Sequence, residues 1–251
     1  MAFALLCMYA CGPSIDDSVR KLGAASEEER ETGRQELLLA KDRAVAPLLE
    51  ALENPRFAAG RHQLAEVLVG LQSRVDDPRI ESALLTHLGT DPDPRVKARI
   101  AHKLGLFRRT SGIEALFGAL DDAAGEVRYQ SIWALGQMAD QLSPEQVARL
   151  QEHSRRLATD ANRSAKREAT IRVESFVDAW IQEARRLSIR GQLAEAESLF
   201  AMALAYCPSS KRANYRMARF YFDNLSQEKG VQLLRQHGMV LDAPRLSEAP
   251  V

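Results

Sequence analysis

Thiols, imidazoles and paired carboxylates are the groups in this chain whose types could attack a carbon, hold a metal or move a proton. The thiols are Cys7, Cys11 and Cys207, and the imidazoles are His62, His87, His102, His153 and His237. A metal site needs such ligands at short, facing intervals. No histidine pairs with another histidine or a cysteine at that spacing, and the HExxH pattern does not occur. Nucleophile-elbow, P-loop and GxGxxG patterns do not occur either. The carboxylate pairs Asp76-Asp77 and Asp121-Asp122 stand where helices are expected to start, so capping of orphan amides accounts for them. Cys207, directly before Pro208, reads as core at a helix end. The sequence therefore offers no catalytic or metal constellation, implies no cofactor, and points to a protein that is not an enzyme.

Positive charge is the other group with chemical reach. Arg155, Arg156, Arg163, Lys166, Arg167 and Arg172 cluster around one expected helix. Asp160, Glu168 and Glu174 interleave with them and the formal net charge is zero, which weighs against nucleic acid as a partner. Charge is nevertheless uneven along the chain: residues 1–94 hold 10 basic and 16 acidic residues, residues 95–251 hold 24 and 18. The two halves are either solvated surfaces of opposite sign, or the basic one receives an acidic partner.

The elements that must position these groups are helices. Apolar residues make up 45% of the chain and charged residues 27%, enough to bury a core. Aromatics are scarce, while Ala, Leu, Arg and Glu dominate, a mix that favours helix over sheet. No apolar run reaches the roughly 18 residues of a membrane span. Residues 1–11, MAFALLCMYAC, form a shorter apolar stretch followed by Gly12-Pro13-Ser14. Met8-Tyr9-Ala10-Cys11-Gly12 resembles a bacterial lipobox, in which the cysteine thiol takes a diacylglycerol and the chain is cut just before it. Ala10 fits the small residue at the cut. Met8 and Tyr9 depart from the usual pattern, and no basic residue precedes the apolar run. The other reading is an apolar tail or a first helix packed on the repeats. Residues 1–10 are thus expected to be a signal-like segment, and 11–25 a polar tether or one short helical turn.

Internal repeats carry the strongest signal. Arg95-Val96-Lys97 and Glu126-Val127-Arg128 each open an alanine-rich apolar stripe that ends in Leu-Gly, at Leu104-Gly105 and Leu135-Gly136. Asp91-Pro92-Asp93-Pro94 and Asp121-Asp122 precede the two copies as caps. The glycines are expected to end the helices in the left-handed conformation. The preceding helix of each hairpin carries its own stripe: Val45, Leu48, Leu49, Leu52; then Ile80, Ala83, Leu84, His87; then Ile113, Leu116, Phe117, Leu120. Ser26-Glu27-Glu28-Glu29 is a capping box opening an earlier helix that ends near Ala40. Trp133 is expected in the core. About four hairpins fit between residues 26 and 153. This pattern resembles HEAT repeats of the short bacterial kind, also named after phycobilisome lyases; the resemblance implies a binding solenoid and no lyase chemistry.

A connecting helix is expected over residues 154–175. Beyond it, Trp180, Ala184, Leu187, Gly191, Ala196, Phe200, Ala203 and Pro208 fall in one 34-residue frame that matches the TPR consensus. A degraded second copy occupies Ala218, Tyr221, Leu225, Gly230 and Leu234, with Asn214 in place of the aromatic. TPR-like hairpins are therefore expected over 176–240, and a loose tail over 241–251. In TPR proteins the first helix of each hairpin lines the concave groove. By position, the resemblance places Asp178, Ile181, Arg185 and Ile189 there, with Arg212, Tyr215, Arg219 and Phe222.

The expected fold is thus all-α, an alpha-alpha superhelix of HEAT-like hairpins followed by TPR-like hairpins. The expected function is a non-enzymatic protein–protein interaction scaffold, lipid-anchored at Cys11 and facing the periplasm of a bacterial envelope, with the outer membrane weakly favoured. Its partner is a protein or peptide of acidic character, met by Arg185, Arg212, Tyr215, Arg219 and Phe222. The membrane is reached only through the lipid. The alternative is a cytoplasmic HEAT-repeat partner of an enzyme or chromophore protein.

Overall fold

The computed structural model describes residues 14–236 and Gly238. Among these residues there are thirteen α-helices and no strand. They are α1 Ile15–Lys21, α2 Glu27–Ala40, α3 Asp42–Glu53, α4 Arg61–Gln72, α5 Pro78–Thr90, α6 Pro94–Leu106 and α7 Ile113–Ala119. Then come α8 Gly125–Gln137, α9 Pro144–Leu157, α10 Arg163–Ile189, α11 Leu193–Tyr206, α12 Lys211–Asn224 and α13 Gln227–Gln236. The chain forms two compact units, divided between Glu168 and Ala169. No described helix is long and apolar enough to cross a membrane.

Local chemistry explains the helix starts. The Asp77 and Asp93 carboxylates accept from the amides of Arg79 and Arg95, and Pro78 and Pro94 occupy the first turn, where no amide is needed. Ser143 and Gln146 close a full capping box on α9.

Unit 1 is a stack of helical hairpins in two layers. In one layer α1, α3, α5 and α7 touch in succession; in the other α2, α4, α6 and α8 do so. This is the solenoid arrangement, in which each hairpin covers the apolar face of its neighbour. The expected stripes supply the core: Val45, Leu48, Leu52, Ile80, Leu84, Leu116, Phe117, Leu120 and Leu135 are all buried.

Four local expectations change. Residues 15–21, expected as a tether or a single turn, form a two-turn helix that buries Val19, with Leu22 buried just beyond it. Gly33 of α2 makes room for it, since a Cβ there would stand 2.7 Å from the Ser18 carbonyl. Gly105 does not end its helix in a left-handed conformation; it lies inside α6, and the positive φ falls on Arg108 instead. Its role is close approach: a Cβ on Gly105 would stand 2.5 Å from the Cα of Ala134 in α8. Gly136 likewise lies inside α8. Finally, Trp133 is half-buried, its ring stacked on His102 at 4.8 Å.

Unit 2 comprises the C-terminal part of α10 with α11, α12 and α13. The connecting helix and the first helix of the 34-residue frame are one continuous α10, because no glycine or proline interrupts residues 163–189. Val177, Ile181, Ala184, Ala196, Phe200, Ala203, Ala213, Met217 and Phe220 form the core, with Trp180 and Leu187 packed against it. Small residues at 184, 196, 203 and 213 let the helices approach. Gly191, at φ 78°, turns the chain from α10 into α11. Asn214, standing where the frame has an aromatic, is buried and donates to the carbonyls of Pro208 and Ser210, both at 2.9 Å. Ile181, expected on the groove, is buried instead, since its position faces Phe200 and its neighbours in this core.

Candidate functional site

Three polar assemblies are candidates for a site. The first runs along unit 1 between successive hairpins. Each of three aspartates precedes a helix and accepts from the amide two residues on: Asp91 from Asp93 and Asp122 from Ala124 at 2.8 Å, Asp160 from Asn162 at 2.7 Å. The free sides of Asp122 and Asp160 meet a basic group from the preceding hairpin. Lys97 reaches Asp122 at 2.8 Å, and Arg128 grips Asp160 with two bonds of 2.7 Å. Asp91 takes His87 Nδ1 at 2.9 Å, with Arg61 farther off at 3.7 Å. His87 Nε2 faces Glu53 at 3.0 Å. Asp122 therefore orders the turn before α8 rather than capping its first amides. These groups are matched to one another and read as staples between repeats.

The second assembly is a polar cleft of about 460 Å³ bordered by α2, α4 and α6, with His62 and Gln63 on its wall. Its charges are also matched in place: Arg34 with Glu31 at 2.7 Å, and Glu66 with Lys103 at 3.0 Å and Arg99 at 3.6 Å. Burial, and then the charges of Arg95 and Arg99, hold the His62 imidazole below its usual pKa.

The third assembly is different in kind. On one face of unit 2, Arg185 of α10 stands with Arg212, Arg216 and Arg219 of α12. Burial, and then the guanidiniums of Arg185, Arg212 and Arg219, push the Arg216 pKa below the ordinary arginine value; Tyr215 acts the other way. Arg212 meets Asp178 at 2.6 Å and Arg219 meets Asp223 at 3.3 Å. Among the described residues no carboxylate lies within ion-pair distance of Arg185 or Arg216. The Nη1 nitrogen of Arg219 is buried without a hydrogen-bond partner. Crowded guanidiniums with unused donors suit an anion, above all the planar carboxylate.

Behind this face, the Tyr221 hydroxyl donates to Glu197 at 2.7 Å and ties α12 to α11. Burial and then that carboxylate push its pKa up to about 12, so the phenol stays a donor across the ordinary pH range.

The structure brings together Arg185, Arg212, Tyr215 and Arg219 of the expected set. Phe222 is half-buried beside α13, its Cβ 3.4 Å from where a Cβ on Gly230 would stand. Ile189 is fully on the surface, at 84% exposure. Cys207 is half-buried against the unit 2 core. Cys7, Cys11 and His237 lie outside the described residues. Arg216 is the residue that sequence reading missed. Its signal was available: it follows Arg212 by four and precedes Arg219 by three, the spacing of one helix face.

Residues 81–172 match the family model described as HEAT repeats. No curated protein matches the chain. Among solved structures, the complex of CpcE and CpcF of phycocyanin lyase from Nostoc sp. PCC7120 is similar at a TM-score of 0.51 and 21% identity, over 63% of this chain and 96% of that one. A computationally designed armadillo repeat protein for modular peptide recognition gives a TM-score of 0.46 at 17% identity, over 89% and 99% of the two chains. An engineered protein gives 0.45 at 15% identity, over 87% and 98%. At such identities the first likeness speaks to fold alone. The class that the fold defines is a helical-repeat solenoid protein, similar to HEAT repeats over residues 81–172.

Proposed function

We propose that this protein is a non-enzymatic scaffold that holds an acidic segment of a partner protein on the arginine face of unit 2. The observation that carries the reading is a face with four guanidiniums, Arg185, Arg212, Arg216 and Arg219, of which Arg185 and Arg216 meet no carboxylate within ion-pair distance among the described residues. Unit 2 is read as a TPR-type pair of hairpins, the first formed by the end of α10 with α11 and the second by α12 with α13. HEAT-type hairpins occupy 26–153, and the chain is tethered through a lipid on Cys11 at the periplasmic side of a bacterial envelope. The similarity to a chain of the phycocyanin lyase complex favours a second reading, a cytoplasmic HEAT-repeat accessory of an enzyme or chromophore protein.

A pull-down from the native host tests the face. The Arg185/Arg212/Arg219→Ala triple variant should lose the wild-type partners, and wild-type capture should weaken as salt rises. Equal capture by both proteins at equal salt sensitivity removes this face as the site. The tether is tested separately by labelling cells with palmitate. The wild-type chain should carry label in the membrane fraction, and Cys11→Ala should abolish it. An unlabelled wild type, or label that survives Cys11→Ala, favours the cytoplasmic reading.

A further inference from the structure

The two carboxylates on the arginine face are not equivalent. Asp223 lies four residues from Arg219 on the same helix, so that pair forms wherever α12 forms. Asp178 belongs to α10 and meets Arg212 from 34 residues away, so only the folded unit brings them together. The pair is open to water: the Asp178 side chain keeps 38% exposure and that of Arg212 55%. An exposed pair of this kind is weak and exchanges readily. Among the described residues, Arg216 and Arg185 have no such acid.

We infer that Asp178 is a built-in competitor on the partner-binding face, occupying Arg212 in the free protein and holding down the affinity for acidic segments that must displace it. The inference rests on reading this face as the site for an acidic segment. A segment with one carboxylate reaches Arg216 and Arg185 and leaves the Asp178–Arg212 pair intact. Such a ligand gains few contacts and meets the repulsion of Asp178. A segment with two or more neighbouring carboxylates satisfies the central arginines and also displaces Asp178 from Arg212. Only the run therefore pays the cost of displacing Asp178, and Asp178 sets how tightly the face holds it.

The test uses the full chain in detergent and two fluorescein-labelled hexapeptides, one of six glutamates and one with a single glutamate among glutamines. Anisotropy titrations compare wild type with Asp178→Asn, Asp178→Ser and Arg216→Gln. Both Asp178 variants should bind hexaglutamate about fivefold more tightly, and should change the affinity for the single-glutamate peptide less, because only hexaglutamate has to displace Asp178. Arg216→Gln should bind hexaglutamate about tenfold more weakly. If Arg216→Gln weakens binding while both Asp178 variants bind as wild type or worse, the competitor role is overturned and the acidic-segment site stands. If Arg216→Gln binds hexaglutamate like wild type, the site itself falls, and the inference falls with it.

Discussion

Replacing Arg128 by methionine is expected to lower the stability of unit 1 by about 3 kcal/mol at neutral pH, the lower end for breaking a buried ion pair from one side. Arg128 grips the Asp160 carboxylate with two bonds, and the Asp160 side chain is only 6% exposed. Methionine keeps much of the apolar stem but leaves that carboxylate without its cation. The Asn162 amide still donates to it, which limits the loss. The same pair predicts a pH dependence. The bond from Arg128, against the opposing effect of burial, holds the Asp160 pKa below the usual aspartate value. A carboxyl lowered by folding contributes its stability in full above the unfolded value, about 3.9. It loses that contribution as pH falls through the folded value. Wild type should therefore lose more stability than Arg128→Met between neutral and acid pH. Urea midpoints at the two pH values measure both effects. A loss under about 1 kcal/mol at neutral pH would make the pair a matter of orientation rather than stability.

Leu135→Ala should cost about 2–5 kcal/mol, the range for removing a fully buried leucine from a packed core. Leu135 has no exposed surface and sits on α8 one residue from Ala134, against which Gly105 of α6 packs. Contacts in a repeat stack are local, so the damage should begin in the adjoining hairpins. Hydrogen exchange should quicken first in α6 and α8, with the amides of α12 holding their protection. Unchanged exchange in α6 would argue that the two helices do not share a cooperative unit.

The apolar stripes were legible because helical period and burial are the same information: residues three and four apart share a face, and that face is the core. Residues 96 and 127, or 104 and 135, could be matched by spacing alone. What spacing does not hold is the reason for each residue. Leu-Gly at 104–105 looks the same whether the glycine turns the chain or admits a neighbouring backbone, and only the contact with Ala134 distinguishes them. Lys97 and Arg128 stood inside the recognised pattern, yet their carboxylates lie 25 and 32 residues downstream, beyond any local rule. Ile181 was placed on the groove by analogy of position, whereas its apolar side chain lies in the core with Phe200. Arg216 was passed over for the opposite reason, since a polar residue on a polar helix draws no notice until three other arginines are seen around it.

The aspartate staples carry a consequence for how such a chain changes over generations. Each staple joins a hairpin only to the one before it, and Lys97 and Arg128 occupy equivalent places in successive repeats. Excising one whole repeat between those two positions would leave Lys97 followed, at the right remove, by Asp160, and the staple could close again with a new partner. Duplication works the same way in reverse. The unit of tolerated insertion and deletion is then the repeat itself, about 31 residues by the interval between Val96 and Val127. A gain or loss of a few residues inside a helix would part the cation from its acid wherever that helix lies between the two.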